Sequence, residues 1–368
     1  MTILRVIIDE ILSPLPGGDR HYAEELTRAV LTAAPRGTEV HGVVSASTEA
    51  EYADLAARLP ALGGLFKSAL ARRELRLAWH RGFTRLPGGG MVHSPSLLAP
   101  LHRHDRLNEV GNQTIVTIHS VVPWADPESL GSRASAWYQG MAKRAQRYAD
   151  AIVVPSHTVA ERLSEFIDFG DRVHVIEGAA SANIKAPSDS AERRRRLELP
   201  ERYVVVPGAT SARGLRDALT GVAAIGDLAA VVLEADDPAL VASVASEVGL
   251  PADRALALDT VSTADRGAVL DGAAALLVTG DEVGFGIPVL DAFTLGTPVV
   301  FRTEQSLGDL AAGAALEVGP DDDLTDALRT VLDDASEAER WGIQGQDRAR
   351  AFSWRSAGEK TWQLHADL

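Results

Sequence analysis

The chain has 368 residues, of which 46% are hydrophobic and 24% charged, and its formal net charge is −15. This length suits two domains, and the acidic balance argues against a nucleic-acid-binding protein, which needs a basic surplus to neutralise phosphates. The sequence has no cysteine, which excludes disulfides, thiolate metal sites and cysteine nucleophiles.

Two features bear on the compartment. Asp9 and Glu10 fall within the first ten residues, where a secretory signal would not carry acidic side chains. No uninterrupted apolar run reaches the roughly 20 residues that a membrane span needs. We therefore expect a cytoplasmic protein.

Short apolar runs alternate with helical stretches along the first half of the chain. Such alternation predicts βαβ units and a buried parallel sheet. The predicted strands are LRVIID (4–9), EVHGVVSA (39–46), TIVTIHS (114–120), AIVVPS (151–156) and VHVIEG (173–178).

Residues 65–83 interleave leucines and Trp79 with five basic side chains at helical spacing. This pattern predicts a basic amphipathic helix. One partner for it is an anionic bilayer at the inner face of the membrane, which would make the protein peripheral. The alternative is a surface helix whose arginines meet the protein's own acidic residues.

The second half of the chain begins a new series of strand signals after a polar, proline-punctuated segment, 181–201. That segment predicts a linker with a short helix, and hence a domain boundary between residues 180 and 200. Two doubly wound domains would enclose a cleft faced by the carboxyl ends of both sheets. The predicted strands are YVVVPGAT (203–210), LAAVVLEA (228–235), RALALDT (254–260), AALLVTG (274–280), TPVVFRT (297–303) and AALEVG (314–319).

Two motifs of the first half lie where a strand meets a helix. Gly17 and Gly18 open the way to the backbone amides of a helix start, which suit an anion, although a bare Gly-Gly pair also occurs in structural turns. His119 ends a predicted strand, at the edge where open sheets bind ligands, and is either a ligand contact or a structural histidine.

The segment DEVGFGIPVLDAF (281–293) combines a Gly-Phe-Gly loop with a helix start. Gly284 and Gly286 would let backbone amides face a ligand, and Pro288 suits the first helical turn. Asp291 would lie about one turn into the helix, at a reach suited to a ribose diol. This arrangement predicts a cradle for a nucleotide diphosphate.

The order of the motifs is more specific than any one of them. The Gly-Gly loop is followed by IHS (118–120), YVVVPGATSARGL (203–215), GFGIPVLDAFTLGTPVV (284–300) and RARAFSWRSAGEKTW (348–362). This succession resembles the family-4 retaining glycosyltransferases of GT-B fold over almost the whole chain.

The resemblance implies an α/β protein with two Rossmann-like doubly wound domains. Residues 1–185 would form an acceptor-binding domain and residues 186–350 a domain that binds a nucleotide-sugar. Residues 351–368 would form a C-terminal helix that crosses back to the first domain.

The resemblance also assigns roles to residues. Gly17 and Gly18 would approach the donor diphosphate and the acceptor, and His119 the donor sugar near its anomeric carbon. Family members transfer the sugar with retention and, in the usual description, without an enzyme nucleophile. The protein then mainly positions the substrates and neutralises the leaving diphosphate.

The donor motifs depart from the family pattern. Arg213 is the only candidate left of an Arg-Lys pair, and the two glutamates of a Glu-x7-Glu motif are replaced by Val283 and Asp291, with Glu282 one residue early. The predicted catalytic residues are His119 and Glu282. The predicted donor-binding residues are Gly17, Gly18, Arg213, Gly284, Phe285, Gly286, Ile287, Pro288 and Asp291.

Two hypotheses remain open. The first is a hexosyltransferase that uses a UDP- or GDP-linked sugar and a glycan or lipid-linked acceptor in cell-envelope or polysaccharide synthesis. The second is a weakened GT-B module that binds a partner transferase or a glycan without turnover. We expect no cofactor and no metal, because the acidic run 321–323 falls in a predicted surface turn. The oligomeric state stays open.

Overall fold

The structure, a computed structural model, forms two compact units. Of the described residues, one unit comprises 2–13, Asp19–Gly178 and Ser353–Leu368, and the other comprises Gly18 and Ala179–Phe352. The sequence predicted these boundaries at 185/186 and 350/351. The structure describes residues 2–13, 18–84, 86, 90–105, 108–109, 111–208, 211–235, 237–280, 285–302 and 305–368.

The described residues of the first unit form a seven-stranded parallel sheet in the order β3-β2-β1-β4-β5-β6-β7. Its strands are β1 Thr2–Ile7, β2 Thr38–Ala46, β3 Gly64–Ala71, β4 Met91–Ser94, β5 Gln113–Thr117, β6 Ala151–Val154 and β7 Val173–Val175. Every residue of β5 and β6 is buried, as expected for strands covered on both faces.

Seven helices of the described chain accompany this sheet. They are α1 Gly18–Thr32, α2 Glu49–Arg58, α3 Arg72–Arg81, α4 Val122–Ala125, α5 Ser132–Tyr148, α6 His157–Phe166 and, from the end of the chain, α15 Trp354–Asp367. The indole N–H of Trp362 donates to the carbonyl of Val30 at 2.9 Å. A Cβ on Gly358 would lie 2.5 Å from the carbonyl oxygen of Ala29, so glycine lets α15 approach α1 closely. The predicted return of the C-terminal helix to the first unit is confirmed.

The prediction of one amphipathic helix over 65–83 is wrong. Residues 64–71 form β3, an edge strand that pairs with β2, and the helix α3 starts at Arg72. In β3 the more buried side chains alternate with exposed ones from Phe66 to Ala71, and this period of two is a strand pattern. The sequence reading also missed β4, a four-residue strand in the middle of the sheet.

The second unit has a six-stranded parallel sheet within its described residues, in the order β10-β9-β8-β11-β12-β13. Its strands are β8 Tyr203–Pro207, β9 Ala229–Leu233, β10 Ala255–Leu258, β11 Ala275–Val278, β12 Val299–Arg302 and β13 Leu316–Val318. Its helices are α7 Ser190–Arg196, α8 Ala212–Ala223, α9 Pro238–Glu247, α10 Thr263–Asp271, α11 Ile287–Leu295, α12 Gln305–Ala311, α13 Leu324–Asp333 and α14 Ala335–Ala349. The strand order reverses between β8 and β11, which is the topological switch point of a doubly wound sheet.

Two buried histidines connect α15 with the sheet of the first unit. His93 on β4 is fully buried, and its ring centroid lies 5.6 Å from that of His365 on α15. His365 Nδ1 lies 2.9 Å from the side-chain oxygen of Gln113. Burial lowers the pKa of His93 to about 4. Burial also lowers the pKa of His365 well below its usual value, with the charge of His93 as a second cause.

Acid should therefore destabilise the first unit. Both imidazoles are neutral in the folded chain but gain protons below a pH of about 6.5 when the chain unfolds, so stability is lost as the pH falls from about 6.5 toward 4. Each histidine should contribute a slope of about 1.4 kcal/mol per pH unit in the free energy of unfolding. Urea titrations at several pH values measure this slope. His93→Gln should reduce it, whereas His157→Gln, at an exposed histidine, should not; equal slopes in both variants would contradict the prediction.

Candidate active site

The predicted site residue of the first unit lies beyond the carboxyl end of β5. His119 is half-buried, and its Nε2 lies 2.7 Å from the carbonyl oxygen of Pro95. Because a carbonyl only accepts, Nε2 carries the proton of this hydrogen bond. The ring of Tyr22 packs edge-on at 4.6 Å between centroids. The histidine therefore has a fixed ring orientation at the edge of the sheet where ligands bind.

Several predicted site residues lie outside the residues that the structure describes. These are Gly17, Glu282 and Gly284. Their assigned roles stay predictions. Gly18 is described and is the first residue of α1.

In the second unit, two helices start side by side at the carboxyl edge of the sheet. The helix α8 follows β8 and α11 follows the neighbouring strand β11. Thr279, just beyond β11, donates from its hydroxyl to the carbonyl of Gly214 in the first turn of α8, at 2.6 Å. Both helix starts carry the partial positive charge that attracts anions.

The start of α11 is set by Gly286 and Pro288. Gly286 caps the helix at φ +80, a left-handed conformation that favours glycine, and Pro288 lies in the first turn. The side chains of Phe285 and Ile287 are buried. These two residues can meet a ligand through their backbone, while their side chains anchor the turn in the core.

Arg213 lies exposed in the first turn of α8. Among the described residues, no acidic side chain forms an ion pair with it. The next arginine, Arg216, pairs with Glu247 at 2.7 Å. Arg213 is therefore a cation available to an anionic ligand at this helix start.

Asp291 points into the second unit instead of toward a ligand. It is fully buried, and its two carboxylate oxygens accept hydrogen bonds from the N–H and the hydroxyl of Ser181, each at 2.6 Å. Burial raises the pKa of the Asp291 carboxyl, against the opposing effects of Arg266 and Ser181. The expected exposed carboxylate is thus absent from this position, because Asp291 is fully buried and both of its oxygens are bonded to Ser181.

A second acidic residue joins this group through an arginine. The guanidinium of Arg266, in the first turn of α10, has Nη1 3.6 Å from Oδ2 of Asp291 and forms an ion pair with Glu234 through Nη2. Glu234 directly follows β9. The sequence analysis missed Glu234, Arg266 and Ser181, since widely separated residues joined only by the fold leave no spacing pattern.

Glycine is required where β8 and β9 end. A Cβ on Gly208 would lie 1.9 Å from the backbone oxygen of Glu234. The N–H of Gly208 donates to the carbonyl of Leu233 at 2.8 Å. The backbone of Glu234 is therefore held tightly against the strand that leads to α8.

The described part of the chain contains no group of three or more histidine or acidic side chains arranged to hold a metal ion. In the acidic run, Asp322 accepts a hydrogen bond from the N–H of Gly319, and Asp323 caps α13. The expectation that no metal is needed stays a prediction.

Comparison with known proteins supports the resemblance seen in the sequence. Residues 16–180 match the model of Glycosyltransferase Family 4. The chain superposes on a sucrose-phosphate synthase from Thermosynechococcus elongatus with a TM-score of 0.74 at 16% identity, covering 100% of this chain and 99% of that one. The family match covers less than half of the chain, and over residues 16–180 the chain is similar to the family-4 glycosyltransferases.

Two curated glycosyltransferases are similar to this chain in sequence. An MMP α-(1→4)-mannosyltransferase from Mycolicibacterium hassiacum is 22% identical over 70% of this chain and 66% of its own length. A D-inositol 3-phosphate glycosyltransferase from Nocardioides sp. is 24% identical over 59% of this chain and 53% of its own length. The chain thus spans between about half and two thirds of the relatives it matches.

Other solved structures share the fold. The Anabaena protein HepE, solved in complex with UDP-glucose, gives a TM-score of 0.70 at 16% identity over 100% of both chains. WaaG, a glycosyltransferase involved in lipopolysaccharide biosynthesis, gives 0.66 at 13% identity over 98% of both chains. These similarities confirm the predicted α/β GT-B fold.

The buried pair of Asp291 and Ser181 should stabilise the second unit. Asp291→Ala leaves two donors of Ser181 and the charge of Arg266 without their acceptor, at a cost of about 3 kcal/mol in the free energy of unfolding. Ser181→Ala removes one hydrogen bond and should cost about 1 kcal/mol. Chemical denaturation followed by circular dichroism measures both. Asp253→Ala, at an exposed position, is the control; a loss in Asp291→Ala no larger than in this control contradicts the structural role.

Proposed function

We propose that this chain is a family-4 glycosyltransferase that moves a hexose from a UDP- or GDP-linked sugar to a glycan or lipid-linked acceptor, with retention, in cell-envelope or polysaccharide synthesis. The observation that carries the proposal is the pair of helix starts, α8 and α11, at the switch point of the second sheet. Open sheets of this topology bind nucleotides at that point, and helix starts bind phosphates.

The diphosphate is proposed to bind at these helix starts. Arg213 is exposed there, and the left-handed Gly286 directs the backbone into α11. As the bond to the sugar breaks, negative charge grows on the diphosphate, and a fixed cation and oriented amides stabilise this charge. One arginine takes the place of the two cations that are usual in the family. The backbone amides therefore provide a larger share of the stabilisation of the negative charge on the diphosphate.

The other predicted site residues are proposed to contact the sugar and the acceptor. His119 would contact the reacting sugar, and Glu282 would accept hydrogen bonds from the sugar hydroxyls. Gly17 and Gly18 would let the backbone approach both substrates. Since retention in the family is described without an enzyme nucleophile, these residues position and polarise the substrates.

A panel of UDP- and GDP-sugars tests the function. The correct donor should raise the melting temperature by mass action and be turned over or slowly hydrolysed. Arg213→Ala should weaken donor binding about tenfold, the effect of one charge-assisted contact. Arg216→Ala is the matched control, because Arg216 lies on the same helix but pairs with Glu247. Neither a thermal shift nor hydrolysis with any donor would overturn the proposal and favour a module that binds without turnover.

We also propose a peripheral membrane contact through α3 and the residues after it. Arg73, Leu77 and Arg81 lie four residues apart and share one exposed face of α3. Leu77 is 49% exposed, and Phe83, beyond the helix, is 75% exposed. Apolar side chains between cations suit an anionic bilayer. No helix in the described part of the chain is long and apolar enough to cross a membrane.

Vesicle co-sedimentation tests this contact. The protein should bind vesicles containing phosphatidylglycerol and not those of phosphatidylcholine alone, with binding weakened by salt. Leu77→Ser with Phe83→Ser should reduce the bound fraction at least severalfold, since it removes the inserted apolar surface. Phe166→Ser, at an exposed phenylalanine on α6, is the control. Equal binding by the double variant and the control would rule out α3 as the contact.

A further inference from the structure

We infer that Glu234 recognises the ribose of the donor nucleotide, and that Arg266 and Asp291 hold it in place. This inference rests on the proposed function, because it assigns a subsite of the same donor. Glu234 replaces Asp291 as the ribose-binding acid expected from the sequence. Asp291 becomes a positioning residue that acts through Arg266.

The place of Glu234 in the sheet supports this role. It directly follows β9, which pairs with β8 up to the register of Pro207 with Leu233. The strand β8 leads to α8, where the diphosphate is proposed to bind. In doubly wound nucleotide-binding folds, an acidic residue beyond the strand next to the phosphate-binding turn accepts a hydrogen bond from the ribose. Glu234 occupies the equivalent place in this sheet.

The backbone of Glu234 is strained. Its φ is +59, in the left-handed region, which costs a non-glycine residue roughly 1 kcal/mol or more. The close contact of its carbonyl with Gly208 keeps this conformation in place. Glycine would adopt this conformation without that cost, but it would lack the carboxylate that pairs with Arg266.

The carboxylate of Glu234 is accessible, whereas that of Asp291 is not. The Glu234 side chain is 21% exposed, and that of Asp291 is fully buried. Arg266 binds Oε1 of Glu234. A carboxylate has about four acceptor positions, so this ion pair leaves capacity for a ribose hydroxyl.

Arg266 fixes the carboxylate of Glu234. Its side chain is only 9% exposed and lies between Glu234 and Asp291. Both contacts of Arg266 are ion pairs, so its nearly buried positive charge attracts the carboxylate of Glu234 on one side and that of Asp291 on the other. Asp291 is itself held by both donors of Ser181. The buried residues Ser181 and Asp291 thus position the accessible Glu234 through Arg266.

Calorimetry with UDP, GDP and their 2′-deoxy forms tests the inference. The wild type should prefer the ribose form of its nucleotide by about tenfold, the effect of one hydrogen bond to a charged group. Glu234→Gly should lose this preference while its affinity for the deoxy form changes less than about twofold. The melting temperature of this variant checks that it is folded, because glycine relieves the left-handed strain but removes one acidic partner of Arg266. Glu247→Gln, at an exposed glutamate of the same unit, should keep the preference.

The outcomes separate the two proposals. If the wild type binds none of the four nucleotides, the donor assignment fails, and this inference fails with it. If it binds them and Glu234→Gly keeps the full preference for ribose, only the role of Glu234 is overturned. Asp291→Asn should reduce the preference; an equal loss of affinity for both sugar forms would overturn the positioning role of Asp291.

Discussion

The two hydrogen bonds between Ser181 and the carboxylate of Asp291 are the contacts on which the candidate donor site depends. They join the segment that begins the second unit to α11, and both partners are buried. A buried carboxylate without its donors would be strongly destabilising. Since Arg266 contacts the same carboxylate, this contact also fixes the start of α10 and the end of β9. Four segments at one edge of the sheet are therefore set by a single side chain.

The burial of that side chain leaves Glu234 as the accessible carboxylate of this group. At position 291 an aspartate ends inside the unit, whereas a glutamate would extend one methylene further. The buried aspartate can hold Arg266, and Arg266 presents Glu234 at the surface of the sheet edge. Loss of the familiar motif at one position thus does not remove the acidic group from the site. It moves the exposed carboxylate from α11 to the end of β9.

Most of the fold could be predicted from sequence, because buried parallel strands are continuous apolar runs and this protein alternates them with helices. The prediction failed where this signal is weak. In residues 65–83 a strand is followed directly by a helix, so the leucines of both elements together show the spacing of a single helix. The strand β4 has only four residues, which is too short for a clear apolar run. The site was predictable as a set of loops at strand ends. The direction of Asp291 and the pairing of Arg266 with Glu234 were not, since they arise from contacts between residues distant in the chain.

The charges at this edge of the sheet form two regions that suit different parts of the proposed donor. Glu234 and Asp291 together carry two negative charges against the one positive charge of Arg266, so the end of β9 disfavours phosphate and favours hydroxyl donors. The starts of α8 and α11 carry the helix dipoles and the exposed Arg213, which favour phosphate. Because Arg266 is already paired on both sides, it cannot also neutralise the diphosphate. The nucleotide would then bind with its ribose toward β9 and its diphosphate toward the two helix starts. This orientation depends on the place of Arg266, which pairs with the buried Asp291.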